Sequence, residues 1–167
     1  SPPEAALREL IDSGGSAALC GDRDPVELVA TVAAAAGRQL EWIDGRGLRT
    51  AEFDAALRGT FAAGGWTDGK LTRAMREGGV FVLAHGEDLL DDLRQRAVRM
   101  MLTRSVVLTG PSPRDDVVVT ALAQTALLFH VDDHTQAPLQ VQSAVRRFPS
   151  VIRADVGAAP TPGRWRP

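Results

Sequence analysis

The chain has 167 residues, 44% of them hydrophobic and 24% charged, values that suit one folded domain with a substantial core and exclude wholesale disorder or a fibrous chain. Its 19 basic and 21 acidic residues give a formal charge of -2. The basic residues are spread along the chain, which argues against a nucleic-acid partner, because phosphate binding needs concentrated Lys and Arg.

No apolar run approaches the roughly 20 residues that cross a bilayer, and Ser1-Pro2-Pro3-Glu4 does not read as a signal peptide. No membrane partner is expected. Cys20 is the single cysteine, so no internal disulfide can form, which fits a cytoplasmic location.

Short Val/Leu/Ala-rich runs alternate with longer helical stretches, the pattern of βαβ units around a mostly parallel sheet. The first strand is expected over Ala17–Cys20, after a flexible Ser13-Gly14-Gly15-Ser16 turn. A helix follows over Pro25–Ala36, apolar on nearly every face, and ends at Gly37. Gln39–Ile43 reads as the second strand, and Thr50–Leu57 as a helix with Thr50 as N-cap.

Between Phe61 and Gly69 two turn signals predict a small hairpin carrying Trp66. A short helix over Lys70–Arg76 leads through Gly78-Gly79 into the third strand, Val80–Leu83. Leu89, Leu90, Leu93, Ala97, Met100 and Met101 then recur at helical spacing. Asp92 and Arg96 stand at i,i+4 on the solvated face of that helix.

The fourth strand is expected over Ser105–Thr109, with Asp116–Thr125 open between strand and helix, and Ala126–Val131 as the fifth strand. A helix over Pro138–Arg147 and an extended Ser150–Val156 complete a domain spanning 1–156. Residues 157–167 read as a Pro/Gly-rich tail.

The stretch from Asp68-Gly69-Lys70-Leu71 through Gly78-Gly79 to Val80-Phe81-Val82-Leu83 resembles the approach to the Walker B strand in AAA+ ATPases of the MoxR type. Val106-Val107-Leu108-Thr109-Gly110-Pro111 is similar to the sensor strand of that family. The resemblance covers about residues 16–133 and implies a three-layer α/β sandwich with a P-loop NTPase-like, five-stranded sheet. Too few residues follow for a complete helical lid.

The residues that would carry ATPase chemistry depart from the family. A P-loop needs glycines that expose backbone N–H groups, a Lys for the outer phosphates and a Ser/Thr for magnesium. Here Gly21-Asp22-Arg23-Asp24 forms the whole loop. Asp24-Pro25-Val26-Glu27 reads as an N-cap, a proline at N1 and a capping-box glutamate, with Arg23 reaching solvent.

The Walker B positions for a metal-binding Asp and a water-activating Glu are occupied by Ala84 and His85. Glu87 and Asp88 are assigned to the start of the following helix. Ahead of the expected fifth strand, Ala123-Gln124-Thr125 provides no arginine finger. No bound cofactor and no catalytic residue are therefore expected, and the chain reads as a pseudo-ATPase interaction or scaffolding module rather than an enzyme.

Its partner would be a protein, either an AAA+ relative or other domains of a longer chain. Trp66, Lys70 and Trp165 are candidate contact residues, since exposed aromatic and basic side chains concentrate at interfaces. His130, Asp132 and His134 would share one strand face like metal ligands, but only His85 remains to complete such a site, and no metal is expected. The competing reading is a Rossmann-like enzyme or small-ligand domain that uses the crevice beside Cys20, Ala84, His85 and Thr109.

Overall fold

The most continuously apolar runs of the chain become its central strands. The computed structural model describes residues 2–156, so the tail and Trp165 lie outside the described residues. In chain order the first elements are α1 (Pro3–Ser13), β1 (Gly15–Cys20), α2 (Pro25–Ala35), β2 (Leu40–Asp44), α3 (Thr50–Leu57), β3 (Gly59–Ala62) and β4 (Gly65–Asp68). There follow α4 (Lys70–Glu77), β5 (Val80–Ala84), α5 (Asp91–Thr103), β6 (Ser105–Leu108), β7 (Val117–Thr120), β8 (Ala126–Val131), α6 (Leu139–Arg146) and β9 (Val151–Arg153).

Five strands form one sheet in the order β2-β5-β8-β1-β9, and every pairing is parallel. Period-two alternation divides their side chains between two cores. Ala17, Leu19, Val80, Val82, Ala126 and Leu128 face Leu7 and Ile11 of α1 and Leu28, Val29 and Val32 of α2. Ala18, Phe81, Leu83, Leu127 and Phe129 face the layer containing Phe53, Leu57, Met75, Leu93, Met101 and Val145. The result is a three-layer α/β sandwich, and no helix among the described residues is long and apolar enough to cross a membrane.

Several expectations change. β6 does not join the sheet. It pairs antiparallel with β7 in a separate ribbon, and β9 is the fifth member of the sheet. The burial pattern gives the reason: Val106, Leu108 and Val119 are buried whereas the paired Val107 and Val118 face solvent, a one-sided alternation suited to a ribbon laid on the core rather than to a strand covered on both faces.

Nor was α1 expected. It buries only Leu7 and Ile11, an i,i+4 pair that gives a weak apolar signal amid polar residues. α2 is buried along one face only, since Ala34 and Ala35 are exposed. The N-cap of α3 is Arg49, with no side-chain cap. Arg96 reaches Asp54 at 2.6 Å and lies over the Phe53 ring, so it does not pair with Asp92.

At the amino ends of the strands Arg38 ties three segments together. Its guanidinium donates to the carbonyls of Ile11 and Gln124, each at 2.6 Å, and to that of Gly78.

Candidate functional site: the crevice at the strand carboxyl ends

β1 is followed by Gly21, whose φ of 148° disfavours any side chain. An added Cβ would lie 2.1 Å from the Ala154 carbonyl oxygen, so the loop is pressed against the segment following β9. Its polar groups are consumed locally. Asp22 accepts from the Val156 N–H at 2.6 Å, the Arg23 N–H donates to Ala154 O at 3.1 Å, and the Arg23 guanidinium pairs with Glu4 at 3.3 Å instead of reaching into solvent.

Asp24 caps α2 as its position beside Pro25 predicts. Its Oδ1 accepts from the N–H groups of Val26 and Glu27 at 3.0 and 3.2 Å, occupying donors that a helix start otherwise leaves unpaired.

Across the crevice, β5 and β8 lie side by side and bring together residues far apart in the chain. The His85 N–H donates to His130 Nδ1 at 3.0 Å, and His130 Nε2 lies 3.0 Å from the Gly21 carbonyl. An amide can only donate, so Nδ1 carries the lone pair and Nε2 the proton. His130 is 1% exposed, and burial holds its proton affinity below the ordinary value, against the opposing pull of the Gly21 carbonyl and Asp132.

His85 itself adopts a left-handed backbone, φ 54° and ψ 51°, uncommon for a residue with a Cβ. Its Nδ1 lies 3.1 Å from Asp132 Oδ1, and His130 Nε2 lies 3.3 Å from the same oxygen. Glu87 also turns into this group. α5 starts only at Asp91, so Glu87 does not serve the helix N-terminus as expected. Its Oε2 accepts from the Asp132 N–H at 2.6 Å, while Oε1 is buried with no hydrogen-bond partner among the described residues. Burial, first, and the charges of Asp132 and Asp88 raise its proton affinity.

His85, Glu87, His130 and Asp132 each place a donor atom within 4.8 Å of the others. His134, expected on the same face, lies beyond the end of β8 with its ring 3.2 Å from Arg153. Sequence reasoning therefore joined the wrong histidine to His130 and Asp132. The one signal for His85 was its position at the end of an apolar strand.

A cleft of about 450 Å³ opens beside this cluster, lined by Asp22, Arg23, Asp24, Trp42, Asp44, Arg46, Ala84, His85 and Asp132 among others. Arg46 pairs with Asp44 at 2.8 Å, and that hydrogen bond lowers the proton affinity of the Asp44 carboxyl. Both guanidiniums in the cleft wall are thus already neutralised, leaving carboxylates in excess.

Cys20 is buried, and burial raises its thiol to about 11. Thr109 follows β6 in the separate ribbon and does not line the cleft. Of the four residues expected at the crevice, only Ala84 and His85 line it.

The other expected contact residues are placed as follows. Trp66 on β4 is half-buried against the core and donates its indole N–H to Asp68 at 2.7 Å. The Lys70 ammonium lies 5.4 Å from the centre of the exposed Trp42 ring. Two assignments from the resemblance shift with the topology. β8, not the segment containing Val106, sits beside β5. The sheet's fifth strand in chain order is β9, preceded by Arg146-Arg147-Phe148-Pro149-Ser150 with both arginines exposed, whereas Ala123-Gln124-Thr125, the stretch read for a finger, precedes β8.

No family model matches the chain, and no curated protein sequence does. Solved structures do. NtrX from Brucella abortus in complex with ADP superposes with a TM-score of 0.65 at 13% identity, over 94% of this chain and 36% of that one. The likeness is one of fold. A second NtrX structure from the same organism gives 0.60 at 13%, covering 89% and 34%. A Cytophaga hutchinsonii protein described as an ATPase gives 0.62 at 15%, covering 90% and 44%. The sandwich thus shares its fold with these proteins, and the chain spans less than half the length of each of them.

Proposed function

We propose that this chain is a nucleotide-independent domain of the AAA+-type fold that acts as a scaffold through protein contacts, with a relative of the same fold or another domain of a longer chain as partner. The observation that carries the first half is the α2 N-terminus. A phosphate would need the first-turn N–H groups and the positive dipole end. Asp24 already occupies the N–H groups of Val26 and Glu27.

A nucleoside triphosphate with magnesium does not fit the residues present. The loop backbone is packed against Ala154, the carboxylates of Asp22, Asp24, Asp44 and Asp132 line the cleft, and Lys70, the only lysine, does not line it. Like charges facing a polyphosphate in a partly desolvated cleft oppose binding.

The contact half is supported by two antiparallel ribbons, β3 paired with β4 and β6 paired with β7. Phe61, Trp66, Leu108 and Val117 line a mainly apolar groove of about 220 Å³ between them, and Phe61, Val117 and Val118 are 53%, 50% and 64% exposed. Exposed apolar side chains beside a groove are suited to docking.

Calorimetric titration of the chain with ATP, ADP and GTP, with and without magnesium, tests the reading. No heat of binding is expected for any of them. Micromolar affinity for any nucleotide would overturn it.

A further inference from the structure

We propose that His85, Glu87 and Asp132 form a binding site for one first-row divalent cation, such as zinc or manganese, at the edge of the crevice. The spacing supports it. Two donor atoms bound to one such ion at about 2.1 Å lie roughly 3.0–3.4 Å apart, according to coordination geometry. His85 Nδ1 and Asp132 Oδ1 are 3.1 Å apart, so one ion can bridge them without moving either strand. Glu87 brings a carboxylate to the same group.

A second, independent observation is the buried Glu87 Oε1, which has no donor among the described residues. A buried carboxylate oxygen without a partner is costly, and a cation beside it removes that cost. One imidazole and two carboxylates make a mixed donor set that suits borderline divalent ions better than thiophilic ones.

His130 is excluded as a ligand by its own hydrogen bonds. Its Nδ1 lone pair receives the His85 N–H, and the proton on Nε2 faces Gly21 O and Asp132 Oδ1. It acts instead as a positioning residue that orients the Asp132 carboxylate, as partners of metal ligands commonly do. Access comes from the cleft: the His85 side chain is 13% exposed and that of Asp132 48%. Three protein ligands leave coordination positions open towards it.

The site does not depend on the interaction reading, and its test is separate from the nucleotide titration. The full chain, stripped with EDTA, is titrated with zinc and with manganese in competition with a chromophoric chelator. One equivalent of at least one metal is expected to bind. Asp132→Asn and Glu87→Gln should each weaken binding by about tenfold or more, while His134→Ala leaves it unchanged.

Circular dichroism and thermal melts of the metal-free variants establish that each is folded. Asp132→Asn preserves side-chain volume at a half-exposed position, so it remains decisive if Glu87→Gln unfolds. The proposal is overturned if neither metal binds, if Asp132→Asn binds as wild type does, or if His134→Ala loses as much affinity as Asp132→Asn.

Discussion

Replacing His130 with leucine tests whether the crevice is held by its buried imidazole. Leucine fills a similar volume, so the main loss is polar: the His85 N–H loses its acceptor at 3.0 Å, and the Gly21 carbonyl loses its donor at 3.0 Å. Each stranded buried group costs about 1–3 kcal/mol, so a destabilisation of about 3 kcal/mol is expected overall. For a chain of this size each kcal/mol lowers Tm by about 2–4 °C, and the melt should fall by about 6–12 °C. Urea unfolding followed by tryptophan fluorescence, in EDTA so that no metal contributes, gives the free energy. His134→Leu, beyond the strand end, is the control and should stay within about 0.5 kcal/mol of wild type. A loss below about 1 kcal/mol for His130→Leu, with an unchanged m-value, would refute the reasoning.

Asp24→Ala removes the two-donor cap of α2 and should cost about 1 kcal/mol in the same urea assay. It should not create nucleotide affinity, since no lysine is supplied. Arg38→Ala leaves three carbonyls without their guanidinium partner and should cost about 2–4 kcal/mol; hydrogen exchange should then quicken at the amino ends of the strands. Cys20, buried and raised to about 11, stays a thiol through neutral and mildly alkaline pH. Iodoacetamide should therefore label the native chain far more slowly than the urea-unfolded chain at pH about 8.5, where an ordinary thiol is half ionised.

Much of the fold was readable in order along the chain. β5 and β8 are buried on both faces, and such strands appear as unbroken apolar runs. The Asp24-Pro25 helix start is equally local, because capping involves residues two and three positions apart. β6 misled because an apolar tetrapeptide does not reveal whether one or both faces will be covered. β9 was hard to place in the sheet because only Ile152 of its three residues is buried.

The candidate site was less legible. His130 and Asp132 could be placed on one face from alternation alone, but their partner could not. His85 lies 45 positions before His130, and only the pairing of β5 with β8 makes them neighbours. The inward turn of Glu87 depends on the left-handed backbone of His85 and the delayed start of α5, neither of which local spacing specifies.

By itself, then, the sequence determined which central strands are buried, that the layers are α/β, and that the loop after β1 ends in a self-capped helix. These follow from hydrophobic period and short-range hydrogen bonding. Strand order, the second ribbon and the meeting of His85, Glu87, His130 and Asp132 were decided by tertiary structure. They depend on which buried surfaces pair across long stretches of chain, and apolar side chains attract without direction.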